Sequence, residues 1–238
     1  MGLQHLLFPV ADQYSDPNAW NSDEHFPIKL ALALAAAALA LHLRANKVDD
    51  RTVARFSRTT GAALVAACDE IARELKTVLA GNADGWDGAE YQAIAADWSF
   101  LSLWQGGGFT AASDAMPRTR RALEAAMTLG LRIHPLQAFA AGIAKMPAGS
   151  RISPHCDGGL LSFTAHLGLE VPARCELVVG GEARPWARGA FFAFDPSWVH
   201  AAANDGDTDR YVLLLQPLRD DARDEDVAAV AHYLHPNV

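Results

Sequence analysis

Ser153-Pro154-His155-Cys156-Asp157-Gly158-Gly159 is the stretch on which the reading of this chain turns. His155 and Asp157 are spaced i, i+2, so on an extended strand both side chains point to the same face. A neutral imidazole and a carboxylate on one face make half of a metal site. A second His from a distant strand completes a 2-His-1-carboxylate triad, which leaves coordination positions open. His200 is placed for that role, because it follows Phe194-Asp195-Pro196-Ser197-Trp198-Val199, just after an apolar run of strand character. Taken alone, His-x-Asp also fits a surface turn or a core histidine, so the weight rests on what surrounds it.

Two surrounding features favour a site. Arg210 opens another apolar run, Tyr211-Val212-Leu213-Leu214-Leu215. Leu161 to Leu169 alternates, with Leu161, Phe163, Ala165, Leu167 and Leu169 on one face and Ser162, Thr164, His166 and Gly168 on the other. A strand with one apolar face and one face of Ser, Thr and His reads as a wall of a polar cavity. Cys156 lies between two candidate ligands and projects to the opposite face, which makes it structural rather than a nucleophile.

Composition sets outer bounds. With 238 residues, half of them hydrophobic and a fifth charged, the chain can bury a sizeable core. A net charge of -8 argues against a nucleic-acid partner and against a surface drawn to anionic lipid. Three cysteines, Cys68, Cys156 and Cys175, show no paired pattern, which predicts a reducing, cytoplasmic setting. The longest apolar run, Leu30 to Leu41, is shorter than the roughly 20 residues of a bilayer span. It reads as a buried Ala/Leu helix.

Upstream the pattern is helical. An irregular arm over residues 1 to 25 precedes a helix from Pro27 to about Asn46, and Asp49 or Asp50 is placed to cap a short one. From Gly61 an amphipathic helix follows, with Leu64, Val65, Cys68, Ile71, Ala72, Leu75, Val78 and Leu79 on its apolar face and Gly81-Asn82 at its end. Two regions are expected: 1–85, an arm and helices packing on the rest, and 86–238, the catalytic core. In the core, residues 98–105 read as a strand and Gly106-Gly107-Gly108 to Asp114 as a loop, either plain surface or a lid. Pro117 to Met127 reads as a basic helix. Strands are expected over about 137–146, 151–155, 161–169, 175–179, 190–195, 199–202 and 210–216, then a closing helix from Asp224 to Leu234. Short strands between Gly, Pro and Asp turns describe a sandwich or jelly roll, and with the helices an α+β fold.

From Lys145 to Leu215 the chain resembles the aspartyl/asparaginyl β-hydroxylase family of iron(II)- and 2-oxoglutarate-dependent dioxygenases. The matching words are Met146, Gly149, Pro154-His155-x-Asp157-Gly158, His166-Leu167-Gly168-Leu169, Pro172, Trp186-x-x-Gly189, Phe194-Asp195-x-Ser197-x-x-His200, Asn204 and Arg210. Trp98-Ser99-Phe100-Leu101-Ser102-Leu103-Trp104-Gln105 and Pro117-x-Thr119 give a weaker echo. The resemblance implies a double-stranded β-helix, or cupin-like jelly roll. It implies Fe(II) on His155, Asp157 and His200, with Arg210 and His166 on the 2-oxoglutarate cosubstrate. It also implies consumption of O2 with release of succinate and CO2, and hydroxylation of an unactivated C–H bond in a small molecule, amino acid or peptide. Asp195 and Asn204 are candidates for orienting the ligands, while Trp186 and Trp198 read as core. Arg210 could alternatively pair with Asp205, Asp207 or Asp209 at a strand end.

The match departs from the family at the substrate. Asp/Asn-hydroxylating members carry Arg two residues before the His of the His-Leu-Gly-Leu word. Here that position is Thr164, with Ser162 a further step back on the same face, and both are candidates for cosubstrate contact. Ala144 stands where the family can place Ser, and Gln216-Pro217-Leu218 replaces a Trp-His-Pro word. Two rival classes share the motif. A zinc hydrolase on the same barrel would need a general base beside the metal and no Arg210, and a cupin-like binding protein would keep the barrel without turnover. The N-terminal helices suit either capping the barrel or forming a homodimer.

Overall fold

Period-two alternation builds the central layer. In a computed structural model, residues 50–81, 86–87, 98–133, 140–157 and 161–227 are described, all within one compact unit, Val48–Val227. The expected arm, the Pro27 to Asn46 helix and the part of the closing helix beyond Val227 lie outside the described residues, while 224–227, where that closing helix is expected to start, are helical. The helices are α1 (Asp50–Phe56), α2 (Ala62–Ala66), α3 (Cys68–Ala80), α4 (Ala111–Asp114) and α5 (Pro117–Thr128). The strands are β1 (Trp86–Asp87), β2 (Ser99–Gln105), β3 (Gly108–Phe109), β4 (Ala141–Met146), β5 (Arg151–His155), β6 (Thr164–Glu170), β7 (Cys175–Val179), β8 (Glu182–Pro185), β9 (Phe191–Phe194), β10 (His200–Asn204) and β11 (Arg210–Leu215).

A seven-stranded sheet runs β1-β2-β4-β11-β6-β9, with β3 on β2, and a four-stranded sheet runs β5-β10-β7-β8. Apart from the β7–β8 hairpin, successive strands from β4 to β11 alternate between the two sheets, and all pair antiparallel, which is the eight-stranded jelly roll, or double-stranded β-helix. One face of the large sheet meets the helices: Leu101, Ile143, Leu167 and Leu213 join Leu64, Ile71, Leu75 and Leu123 in one core. The other face meets the small sheet, through Phe100, Ala144, Met146 and Val212 against Leu177, Val179 and Ala202. The fold is therefore α+β, as expected.

Three local expectations change. The helix does not begin at Gly61: a π-helical turn, Ser57–Gly61, joins α1 to α2 without a break. Gly61 serves close approach instead, since a Cβ there would lie 2.7 Å from the Phe191 ring. The stretch after Gln105 is not a loop or an open lid. Gly106 and Gly107, at φ 62° and 83°, make the two-residue hairpin from β2 to β3, and α4 follows. β8, the fifth of the eight jelly-roll strands, was not foreseen; Gly180-Gly181, also at positive φ, turns β7 into it.

Gly168 is a tight point of the large sheet. A Cβ there would lie 2.1 Å from the Ala187 carbonyl oxygen, and Gly168 exchanges backbone bonds with Gly189 and Ala190. The obstacle is backbone rather than a rotatable side chain, so Gly168→Ala is expected to destabilise the protein by roughly 3 kcal/mol or more, read by urea denaturation.

Candidate active site

β5 and β10 bring the triad together. His155 and His200 sit opposite each other in the register, with ring centroids 4.2 Å apart. The register then slips by one residue over Ser153-Pro154, a bulge that suits a Pro without an N–H to donate. His155 and Asp157 come together, but not as i, i+2 neighbours on one strand face. β5 ends at His155, and Asp157 is held beyond it by its N–H donating to the Pro196 carbonyl at 2.9 Å. Asp157 Oδ1 lies 3.6 Å from His155 Nε2, and Oδ2 lies 3.5 Å from His200 Nε2. One donor atom from each of the three residues fits within 4.8 Å of the others.

Both rings are oriented the same way. His155 Nδ1 lies 2.7 Å from the Ser153 carbonyl, and His200 Nδ1 lies 2.9 Å from the Trp198 carbonyl. A carbonyl only accepts, so each Nδ1 carries the proton and each Nε2 turns its lone pair towards Asp157. Backbone carbonyls therefore hold both rings at Nδ1. Asn204 instead fastens a loop, donating to the carbonyls of Met146, Pro147 and Thr208. Burial works to lower the His200 pKa, but the Asp157 carboxylate, which would accept from Nε2 once that nitrogen is protonated, the Trp198 carbonyl and the Asp157 charge outweigh it and hold it above the ordinary value. Two neutral imidazole nitrogens and a carboxylate converging without a shared proton donor are a fitting set for a divalent first-row metal. Cys156 is exposed, and partial burial and the Asp157 charge push its thiol up, away from an activated nucleophile.

The triad opens into a cavity between the sheets, also lined by Thr164, His166, Trp186, Arg210 and Gln216. The expected alternation places Thr164 and His166 here while Phe163, Ala165 and Leu167 face the helices. Ser162 is buried, in a bridge to Leu218, and is not among the lining residues.

Arg210 is 2% exposed and no carboxylate pairs with it among the described residues. The acids that could have paired with it are taken: Asp205 by Arg151, Asp207 by Arg174 and Asp209 by Lys145. Burial lowers its pKa to about 10, so it stays charged at neutral pH. Its guanidinium lies 4.4 Å from the centre of the Trp186 ring. His166 is held neutral, its pKa driven well down by burial and then by the charges of Arg210 and His200. Four buried polar atoms on the lining lack a partner: Thr164 Oγ1, His166 Nε2, Arg210 Nε and Gln216 Oε1. Orphans of this kind are costly unless a ligand meets them.

Trp186 and Gln216 were missed as lining residues. Trp186 is buried, as expected of core, but it also faces the cavity, and Trp198 is 44% exposed and shields Gly180. Period-two counting from Arg210 through Leu214 would have found Gln216.

A human aspartate beta-hydroxylase domain-containing protein 2 is 42% identical over 64 residues, 27% of this chain and 17% of that protein. The mouse aspartyl/asparaginyl beta-hydroxylase is 29% identical over 122 residues, 50% of this chain and 16% of that protein. The matched stretches thus span under a fifth of these relatives. Among solved structures, a Pseudomonas putida prolyl-4-hydroxylase aligns at TM-score 0.41 and 18% identity, over 64% of this chain and 87% of that one. No helix among the described residues is long and apolar enough to cross a membrane. The family model described as Aspartyl/Asparaginyl beta-hydroxylase matches residues 66–220, from α2 through the last jelly-roll strand, and on that match the chain belongs to the aspartyl/asparaginyl β-hydroxylase family.

Proposed function

We propose that the protein is an iron(II)- and 2-oxoglutarate-dependent dioxygenase that hydroxylates an unactivated C–H bond of an amino acid or amino-acid residue, releasing succinate and CO2. The observation that carries this reading is Arg210: a buried, charged guanidinium without a carboxylate partner among the described residues, in the cavity that also holds the triad. A cation in that state is matched by a dianion that chelates the metal at one end and presents a carboxylate at the other.

His155, Asp157 and His200 would hold the iron, which when bound supplies the activation of dioxygen coupled to oxidative decarboxylation of the cosubstrate. Arg210 would take the distal carboxylate of 2-oxoglutarate, and His166 and Thr164 would donate to it. Neutral His166 suits that role because it brings a donor without a second charge. Arg and hydrogen-bond donors around a dry carboxylate also exclude water from the reacting end of the cavity. A hydrolase is less well supported, since Asp157 is the sole carboxylate lining the cavity among the described residues, which leaves no second acid as general base. Thr164 stands in place of the acid-gripping Arg, so neutral residues belong in the substrate panel beside Asp and Asn.

The test is succinate formation by purified protein with iron(II), ascorbate and 2-oxoglutarate, without and with free amino acids and blocked peptides. Iron-dependent succinate, raised by one panel member, is the expected result. Its absence under every condition, with zinc tightly retained, would sink the reading.

A further inference from the structure

Trp186 touches both of the groups assigned above to the cosubstrate. Its indole nitrogen lies 3.2 Å from His166 Nδ1, and its ring lies under the Arg210 guanidinium. An indole N–H only donates, so His166 Nδ1 must accept and the imidazole proton must sit on Nε2. That Nε2 is buried and unpartnered on the cavity side, as are Arg210 Nε and Thr164 Oγ1. The triad rings show the opposite arrangement, Nδ1 protonated and Nε2 free. The cavity therefore holds histidines of both tautomers: two that accept a metal and one that offers a proton.

We propose that Trp186 is a positioning residue that makes this cradle selective for a carboxylate: its N–H fixes His166 as an Nε2–H donor, and its ring face holds the Arg210 guanidinium beside it. The inference rests on the cosubstrate reading above and adds the residue that sets the polarity of its far end. Without the indole N–H, His166 could carry its proton on either nitrogen, and in the Nδ1–H form it would turn a lone pair on the incoming carboxylate. Trp186 is itself held in place, because the chain beyond it, Ala187 to Ala190, is fastened to Gly168.

The experiment compares wild type with Trp186→Phe, which keeps an aromatic face and loses the N–H, and Trp186→Leu, which loses both. Calorimetric binding of 2-oxoglutarate to the manganese-loaded protein is expected to weaken about 10-fold in Trp186→Phe, the scale of one hydrogen bond, and about 100-fold in Trp186→Leu. Manganese affinity should stay within two-fold, because backbone carbonyls orient the ligating rings. In turnover the loss should fall on KM for 2-oxoglutarate rather than on kcat. Nitrogen-15 spectra of the imidazoles should show His166 of the wild type as the pure Nε2–H tautomer and His166 of Trp186→Phe as a mixture. Wild-type binding by Trp186→Phe would overturn the proposal. So would an Nδ1–H tautomer in the wild type, a result that needs no variant to fold. Failure of the wild type to bind 2-oxoglutarate at all would instead remove the cosubstrate reading on which the proposal rests.

Discussion

Arg210→Met is expected to weaken 2-oxoglutarate binding severely and to make the ligand-free protein more stable. Met is unbranched and nearly fills the same space, so the substitution removes a charge while leaving little void. In the wild type the guanidinium is fully desolvated, and the Trp186 face offsets part of that cost, by about 2 kcal/mol at most. The sign with pH follows from its lowered pKa. Below about 10 the group is charged in both folded and unfolded chains and the penalty is fully present; it is relieved only as pH rises past about 10, where the folded chain loses the proton before the unfolded one does. At pH 7, then, Arg210→Met should gain roughly 1–3 kcal/mol in urea denaturation. Its affinity for 2-oxoglutarate should fall by a factor of about 1,000, because the carboxylate would enter a dry site and meet no cation. A variant that loses stability as well as binding would show that Arg210 holds the barrel together, and the cosubstrate assignment would lose its main support.

That tension between stability and binding also explains what the sequence disclosed. His155, Asp157 and His200 were legible because motif spacing and strand period both constrain them, and because a metal triad demands few residue types. Thr164 and His166 were legible from alternation against Phe163 and Ala165, whose apolar face had to meet a core. Trp186 was not, since an indole reads as core by type, and its second role appears only when β8 delivers it beneath Arg210. β8 itself, Glu182–Pro185, is too polar to announce a strand and is defined by its hairpin partner β7. The partner of Arg210 was open between a salt bridge and a ligand, because three acids lie within five residues of it in sequence. Only the fold assigns each of those acids to a different cation. Gly61 misled for a related reason: a glycine ahead of an amphipathic run looks like a helix boundary, whereas its use is to admit the Phe191 ring.

Loss of one metal ligand should remove nearly all metal-dependent stabilisation. With manganese at 100 times its dissociation constant, the wild type should gain about 2.7 kcal/mol. For a unit of this size that is a rise in Tm of about 5–10 °C. His200→Ala and Asp157→Asn each take a donor from a set of three, and affinity should fall by more than about 100-fold, beyond the loss expected when only an orienting partner is removed. At the same manganese concentration each variant should then gain no more than about 0.4 kcal/mol, a shift of roughly 1 °C. Substrate-stimulated succinate should vanish in both. Asp157→Asn carries the sharper information, because it is isosteric and keeps the backbone bond to Pro196. If its metal-free stability drops while the manganese shift survives, the carboxylate is a clamp between two histidines rather than a ligand. If metal-free stability is kept and the shift disappears, the 3.5 and 3.6 Å separations from the two Nε2 atoms are those of a coordination site waiting for its ion.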